Sequence, residues 1–360
     1  MYLKILLYII LGLCILNEAN AQFSQPKYAN EFLSIGVGAR GLSMGSAVTS
    51  STDDATANYW NPANILTLSS QNSVVIQHAE YFAGIAAYDY VGFANRIDDE
   101  SAIGISFLRF GVDDIPDTRF LYDANGAINY DNITYFSAAD YAFQFTYARQ
   151  IKFVEGLRFG ANAKIIHRNV GKFANAWGFG IDAALAYDYK GFQFSLVSKD
   201  VFGTFTTWFH NVSLIEETYL QTGNDIPVNS TEVTLPRVIL GTAYKQDLPA
   251  KFSLLAEINV ETTFDGPRNT YISEEMFSVD PKFGVEIIYD NIAFLRFGGN
   301  QLQKIKNFDG SQRWNGQANV GIGFQYKTLQ IDYAYTDIGN ASESLYSHIF
   351  TVIINWDAKE

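Results

Sequence analysis

The chain has 360 residues, a formal charge of −13, 28 glycines, 22 tyrosines and 28 phenylalanines, and only 18% charged residues. The acidic balance excludes nucleic acid as a partner, because phosphate binding needs basic patches and the sequence has none. A mean hydropathy of −0.02 excludes a helical membrane bundle, while abundant aromatics with few charges suit strands that face lipid and end in aromatic girdles.

Residues 1–21 read as a secretory signal peptide: Lys4, an apolar run from Ile5 to Leu16, then Ala19-Asn20-Ala21 before Gln22. Leu11-Gly12-Leu13-Cys14 faintly resembles a lipobox, but a bulky leucine directly before the cysteine is wrong for that cleavage. Removal of the leader takes away the one cysteine, so the mature chain is expected to have neither a disulfide nor a thiolate metal site.

The next segment, 22–66, does not read as strand. Gly36, Gly38, Gly41 and Gly45, the small residues through Ser51, and Asn61-Pro62 describe a compact backbone that folds back on itself. Almost everything after it alternates with period two, so this segment is expected to be a plug enclosed by the strands of 67–360. Gly36-Val37-Gly38-Ala39-Arg40-Gly41 spells a dinucleotide fingerprint, but 42–52 lacks helical periodicity and export removes the chain from cytosolic nucleotides; tight turns are the expected role.

The run from Asn30 through Gly38-Ala39-Arg40, Met44-Gly45, Asp53-Asp54 and Trp60-Asn61-Pro62-Ala63 resembles the N-terminal signature of the PorV/PorQ family, outer-membrane barrels similar to the FadL fatty-acid transporters. The Asn-Pro-Ala is the part shared with FadL. The resemblance is specific over roughly 28–66 and looser afterwards, where only strand rhythm and Ser347-His348-Ile349-Phe350-Thr351-Val352 carry it. It implies a part in the type IX secretion system of Bacteroidetes: accepting secreted cargo by its C-terminal signal domain at the translocon and passing it to the attachment complex at the surface.

No mature segment approaches the ~18 consecutive apolar residues of a membrane helix, so a membrane location requires a closed barrel. Alternation gives fourteen strand candidates: 71–79, 84–96, 101–111, 137–150, 156–169, 175–189, 191–199, 236–247, 251–263, 279–290, 292–300, 314–326, 328–337 and 346–356. The fold class is therefore an all-β transmembrane antiparallel barrel with a plug in the lumen. A lipid-facing Lys or Arg at the bilayer midplane costs ~2–4 kcal/mol, which assigns Lys164, Arg168, Glu257, Glu286 and Asp332 to the lumen. Even-numbered connections are short and the long ones are all odd, as expected for periplasmic turns and external loops. An even strand count puts both ends of the barrel in the periplasm, with 22–66 entering from below.

Arg40 needs a carboxylate if it enters the lumen, and Asp53, Asp54 or the lumen acids can supply one. The four histidines show no metal-ligand spacing and no Ser-His-Asp set can be assembled, so neither a cofactor nor an enzymatic activity is expected. Asp113-Asp114 and Asp123-Ala124-Asn125-Gly126 lack the full acidic ladder of a calcium loop. The stretch 200–235 is expected to be an external loop whose Trp208, Phe209, Leu214, Ile215 and Tyr219 form either a self-packed lid or a partner surface. Two functions follow: a cargo-binding shuttle with adhesive loops, or a FadL-like transporter of hydrophobic solutes, which needs a continuous apolar pocket reaching a side opening.

Overall fold

The computed structural model describes residues 29–82, 84–123, 125–306, 310–338 and 347–357. The expected leader, its cysteine and the first residues of the plug segment lie outside them. The strands are β1 (Asn72–Tyr81), β2 (Ala86–Arg96), β3 (Ser101–Asp117), β4 (Thr134–Gln150), β5 (Leu157–Val170), β6 (Ala174–Tyr189), β7 (Phe192–Lys199), β8 (Thr204–His210), β9 (Ser230–Thr234), β10 (Arg237–Asp247), β11 (Phe252–Thr263), β12 (Ile272–Ser273), β13 (Ser278–Tyr289), β14 (Ala293–Lys306), β15 (Gln312–Tyr326), β16 (Leu329–Ile338) and β17 (Ser347–Trp356). Fourteen of them form one closed antiparallel ring, and β17 pairs with β1 through Val75 opposite Ile353. The other three, β8, β9 and β12, are additions at the external end.

Period-two alternation sorts the side chains as lipid and lumen require. Ile258 is 59% exposed and Ile331 is 50%, whereas their neighbours Glu257 and Asp332 are 2% and 0%. Aromatic pairs mark the periplasmic strand ends, with Phe192 and Tyr244 at 4.6 Å and Phe252 and Tyr289 at 4.9 Å. The turns there are tight. In 97–100, Asp98 accepts from the backbone N–H groups of Glu100 and Ser101 at 2.8 and 2.7 Å, and these bonds hold its carboxyl below the usual range.

The fourteen expected strands match the ring, but several run further outward. β3 reaches Asp117 and β14 reaches Lys306, because backbone pairing continues past the apolar zone where alternation fades. A larger correction concerns 200–235, which is not a simple loop. β8 pairs with the outer half of β6 from Ala174 to Phe179, β9 pairs with β8, and an α-helix over Val212–Thr222 crosses between them, ending at Gly223 with φ +70°.

The hydrophobic core lies inside the barrel. Phe32, Val37, Leu42, Met44, Tyr59 and Trp60 of the plug pack against lumen-facing Tyr88, Tyr90, Leu108, Ile166 and Ile349. The plug joins β1 at the end of the barrel that the loop lengths make periplasmic. Its first described residues, however, sit at the external mouth: Asn30 Nδ2 donates to Thr206 Oγ1 on β8 and Thr234 Oγ1 on β9 at 3.1 and 2.7 Å. The chain therefore descends through the barrel and spans its height.

Candidate functional site

The plug is built from short bends. Gly36 and Gly38 take φ of +101° and +80° before a single helical turn over Ala39–Ser43, which contains Gly41. Asn61 Oδ1 accepts from Ala63 N–H at 3.0 Å and so starts the 3-10 turn Pro62–Thr67, with proline where a missing N–H costs nothing. Asn61 Nδ2 also donates to the Thr49 carbonyl at 2.7 Å, tying the lower bend to the middle one.

Backbone meets backbone where plug touches wall. At Gly298 on β14 a Cβ would lie 2.1 Å from the Met44 carbonyl carbon, and at Gly160 on β5 a Cβ would lie 2.3 Å from Ala63 N. These wall glycines are places where another chain approaches too closely for any side chain. Gly45 presents the matching surface on the plug, in the left-handed region against Gly299.

Buried charges and amides complete the seal. Arg40 pairs mainly with Glu286, Nη2 to Oε2 at 3.1 Å, and also donates to the Ser51 carbonyl at 3.1 Å. Asp53 is only a secondary partner at 3.8 Å and is 58% exposed toward the periplasm. Asp54 turns inward on its own segment and accepts from Thr56 N–H and Thr56 Oγ1. Glu286 extends the pairing to Arg296 Nε at 2.7 Å, and Arg296 Nη1 reaches Asp332 Oδ1 at 2.9 Å. Glu257 accepts from the backbone N–H groups of Ser50 and Ser51 at 2.7 and 3.1 Å. That clamp was missed from sequence, since its donors are backbone groups that carry no residue signature.

The ladder is irregular where β6 passes from β7 to β8. Between β7 and β8 the residues Asp200–Gly203 lie outside both strands opposite 180–182, held there by Val201 N–H donating to the Ile181 carbonyl at 2.9 Å, and across from them Leu235-Pro236 separates β9 from β10, where proline cannot donate. Side chains fill this gap. Lys164 Nζ meets Asp182 Oδ1 at 2.7 Å and Asp200 Oδ1 at 2.5 Å, all three residues being nearly fully buried.

Above the plug lies a cavity of about 480 Å³ at the external mouth. Glu31 and Ser34 of the plug, Arg237 on β10, Glu261 and Thr263 on β11, Arg268 in the loop after it, and Lys282 on β13 line it. Arg268 bonds Glu31 at 2.8 Å and Arg237 donates to Ser34 Oγ at 2.7 Å, fastening the top of the plug.

The five residues singled out in 200–235 divide into two groups. Trp208, Ile215 and Tyr219 converge on a shared pocket of about 440 Å³ between the helix and β8, and the Arg168 guanidinium lies 5.0 Å from the Trp208 ring centre. Phe209 and Leu214 point outward and are 45% and 39% exposed, with Leu220 further along the helix at 65%. The first group is self-packing. The second is free surface.

Neither a protein-family profile nor a curated protein matches the sequence. Solved structures do match the fold. The chain is similar to the monoaromatic hydrocarbon channel CymD, with 11% identity over 91% of this chain and 99% of that one at a TM-score of 0.54. The toluene transporter TodX of P. putida gives 11%, 90%, 99% and 0.54, and a FadL homologue from Pseudomonas aeruginosa 10%, 88%, 97% and 0.51. These likenesses establish a FadL-like closed barrel of fourteen strands, of the outer-membrane type.

Proposed function

We propose that this chain is an outer-membrane protein that works from its external face as a binding component, with the lumen kept shut. The observation that carries the reading is the glycine-to-backbone contact at Gly298 and Gly160, where plug and wall meet too closely for any side chain between them. The resemblance in 28–66 supports a finer statement: a type IX secretion component that takes cargo proteins by their C-terminal signal domain, with translocon and attachment-complex proteins as partners, in a Bacteroidetes outer membrane. The outward Phe209, Leu214 and Leu220 supply apolar anchors of the kind that dominate protein interfaces. No chemistry is assigned to the chain.

The second reading is transport of hydrophobic solutes, and the fold comparisons favour it over cargo shuttling, since the solved structures of like fold are a monoaromatic hydrocarbon channel and a toluene transporter. What weighs against it is local chemistry. The mouth cavity sets paired charges and amides among its apolar residues, and the gap between β7 and β8 is filled by Lys164, Asp182 and Asp200, where an apolar route needs continuous apolar walls.

One experiment separates the two. Leu214→Glu with Leu220→Glu on the helix leaves ring and plug untouched and is expected to abolish co-purification of C-terminal-signal proteins, with uptake of toluene or fatty acid unchanged. Retained cargo together with lost uptake would overturn the shuttle reading in favour of the transporter.

A further inference from the structure

The mouth cavity has a chemistry that neither reading uses. Its size is that of a small-molecule site. Its cations are already matched: Arg237 pairs with Glu261 at 3.3 Å, Lys282 pairs with the same carboxylate, and Arg268 pairs with Glu31. A carboxylate ligand would have to displace one of these partners, and since the three cations Arg237, Arg268 and Lys282 stand with three acids, Glu31, Glu261 and Asp280, the lining as a whole favours neither sign and suits a neutral ligand.

Two polar atoms on the wall have no partner among the described residues. Thr263 Oγ1, on a residue 9% exposed, and Asp280 Oδ1 are buried and unsatisfied on two residues that line the cavity. Buried polar groups are normally paired, so an orphan acceptor and an orphan hydroxyl on the wall of one cavity point to a ligand that can donate as well as accept. The rim adds amides from Asn269 and Gln303, which do both, with Asn269 Nδ2 donating to Gln303 Oε1 at 2.9 Å. Tyr81 and Phe82 add aromatic residues to the lining.

We propose that this cavity binds a neutral saccharide, whose hydroxyls pair with Asp280, Thr263 and the rim amides while its C–H face rests on the Tyr81 and Phe82 rings. A peptide strand is less well matched. It would dock by pairing along a sheet edge, and the flank that β13 leaves open on β14 beyond Gly299 is already engaged by the loop after β11, through Asn269 Nδ2 on Gln303 Oε1. The saccharide can be free or the glycan of a surface lipid, and the proposal stands whether or not the chain binds cargo.

The test is calorimetry on the full barrel in a detergent without a sugar headgroup, titrated with maltotriose, with chitotriose and with tetra-alanine. Binding of either sugar, weakened about tenfold or more by Thr263→Val or by Asn269→Ala, is the expected result. Asn269 sits at the exposed rim, so its variant keeps the test informative if Thr263→Val fails to fold. Micelles carrying lipopolysaccharide, with the glycan intact or trimmed to the lipid, distinguish the sources: binding that requires the glycan supports a lipid-borne saccharide. Binding of trimmed lipid and intact lipid alike, binding of tetra-alanine in place of sugar, sugar binding indifferent to both variants, or no binding at millimolar concentration would each overturn the proposal.

Discussion

The lower lumen and the external mouth are made of the same strands yet are opposites in design. Below, plug and wall meet backbone to backbone at Gly298 and Gly160, and Arg40, Glu286, Arg296 and Asp332 form a continuous buried charge network. Above, the strands outrun the apolar zone, β8 and β9 rise with a helix between them, and a hydrated-sized cavity opens beside exposed Phe209 and Leu220. Burial without room for adjustment gives a rigid plug, whereas exposed apolar surface on a short helix costs little to vary. On the reading proposed above, the binding surface lies at the mouth.

The contrast breaks most sharply at a wall glycine. Gly298→Leu forces a side chain into the Met44 backbone and is expected to cost about 3 kcal/mol or more, seen as loss of heat-modifiable barrel mobility in gels. Lys164→Met comes next, because it leaves Asp182 and Asp200 buried without their cation; about 3–5 kcal/mol is expected, with increased protease sensitivity at Asp200–Gly203. For Arg40→Ala the expected loss is about 3 kcal/mol, at the lower end because Glu286 keeps Arg296; unchanged abundance and mobility would remove the paired-charge account. Leu214→Glu and Leu220→Glu at the mouth should change stability by less than about 0.5 kcal/mol each, measured by the same mobility shift on heating. A large loss there would mean that the helix belongs to the core.

The sequence made the ring legible because a lipid-facing parity cannot be hidden: each of Leu254, Ile258, Ile287 and Ile331 must be apolar wherever the strand crosses the bilayer. The plug was legible through its glycines and Asn61-Pro62. β8 and β9 were not, since Trp208-Phe209 and Val233 stand outside the bilayer, where alternation is no longer imposed by lipid and reads as loop. Glu286 as the partner of Arg40 lay among several lumen carboxylates that spacing alone could not rank, and the true pairing joins residues 246 positions apart. The direction of the plug was misread for a related reason: strand parity fixes where β1 begins but says nothing of where Asn30 ends up.

The claim that the plug stays in place is tested most directly by fixing it there. Ser50 Oγ and Ser195 Oγ on β7 lie 2.9 Å apart, so Ser50→Cys with Ser195→Cys places two thiols within disulfide reach of each other. Cross-linking under oxidising conditions should leave co-purification of cargo with the barrel at the level of the reduced protein. Loss of cargo on oxidation, restored by dithiothreitol, would show that the plug must move and would contradict the account.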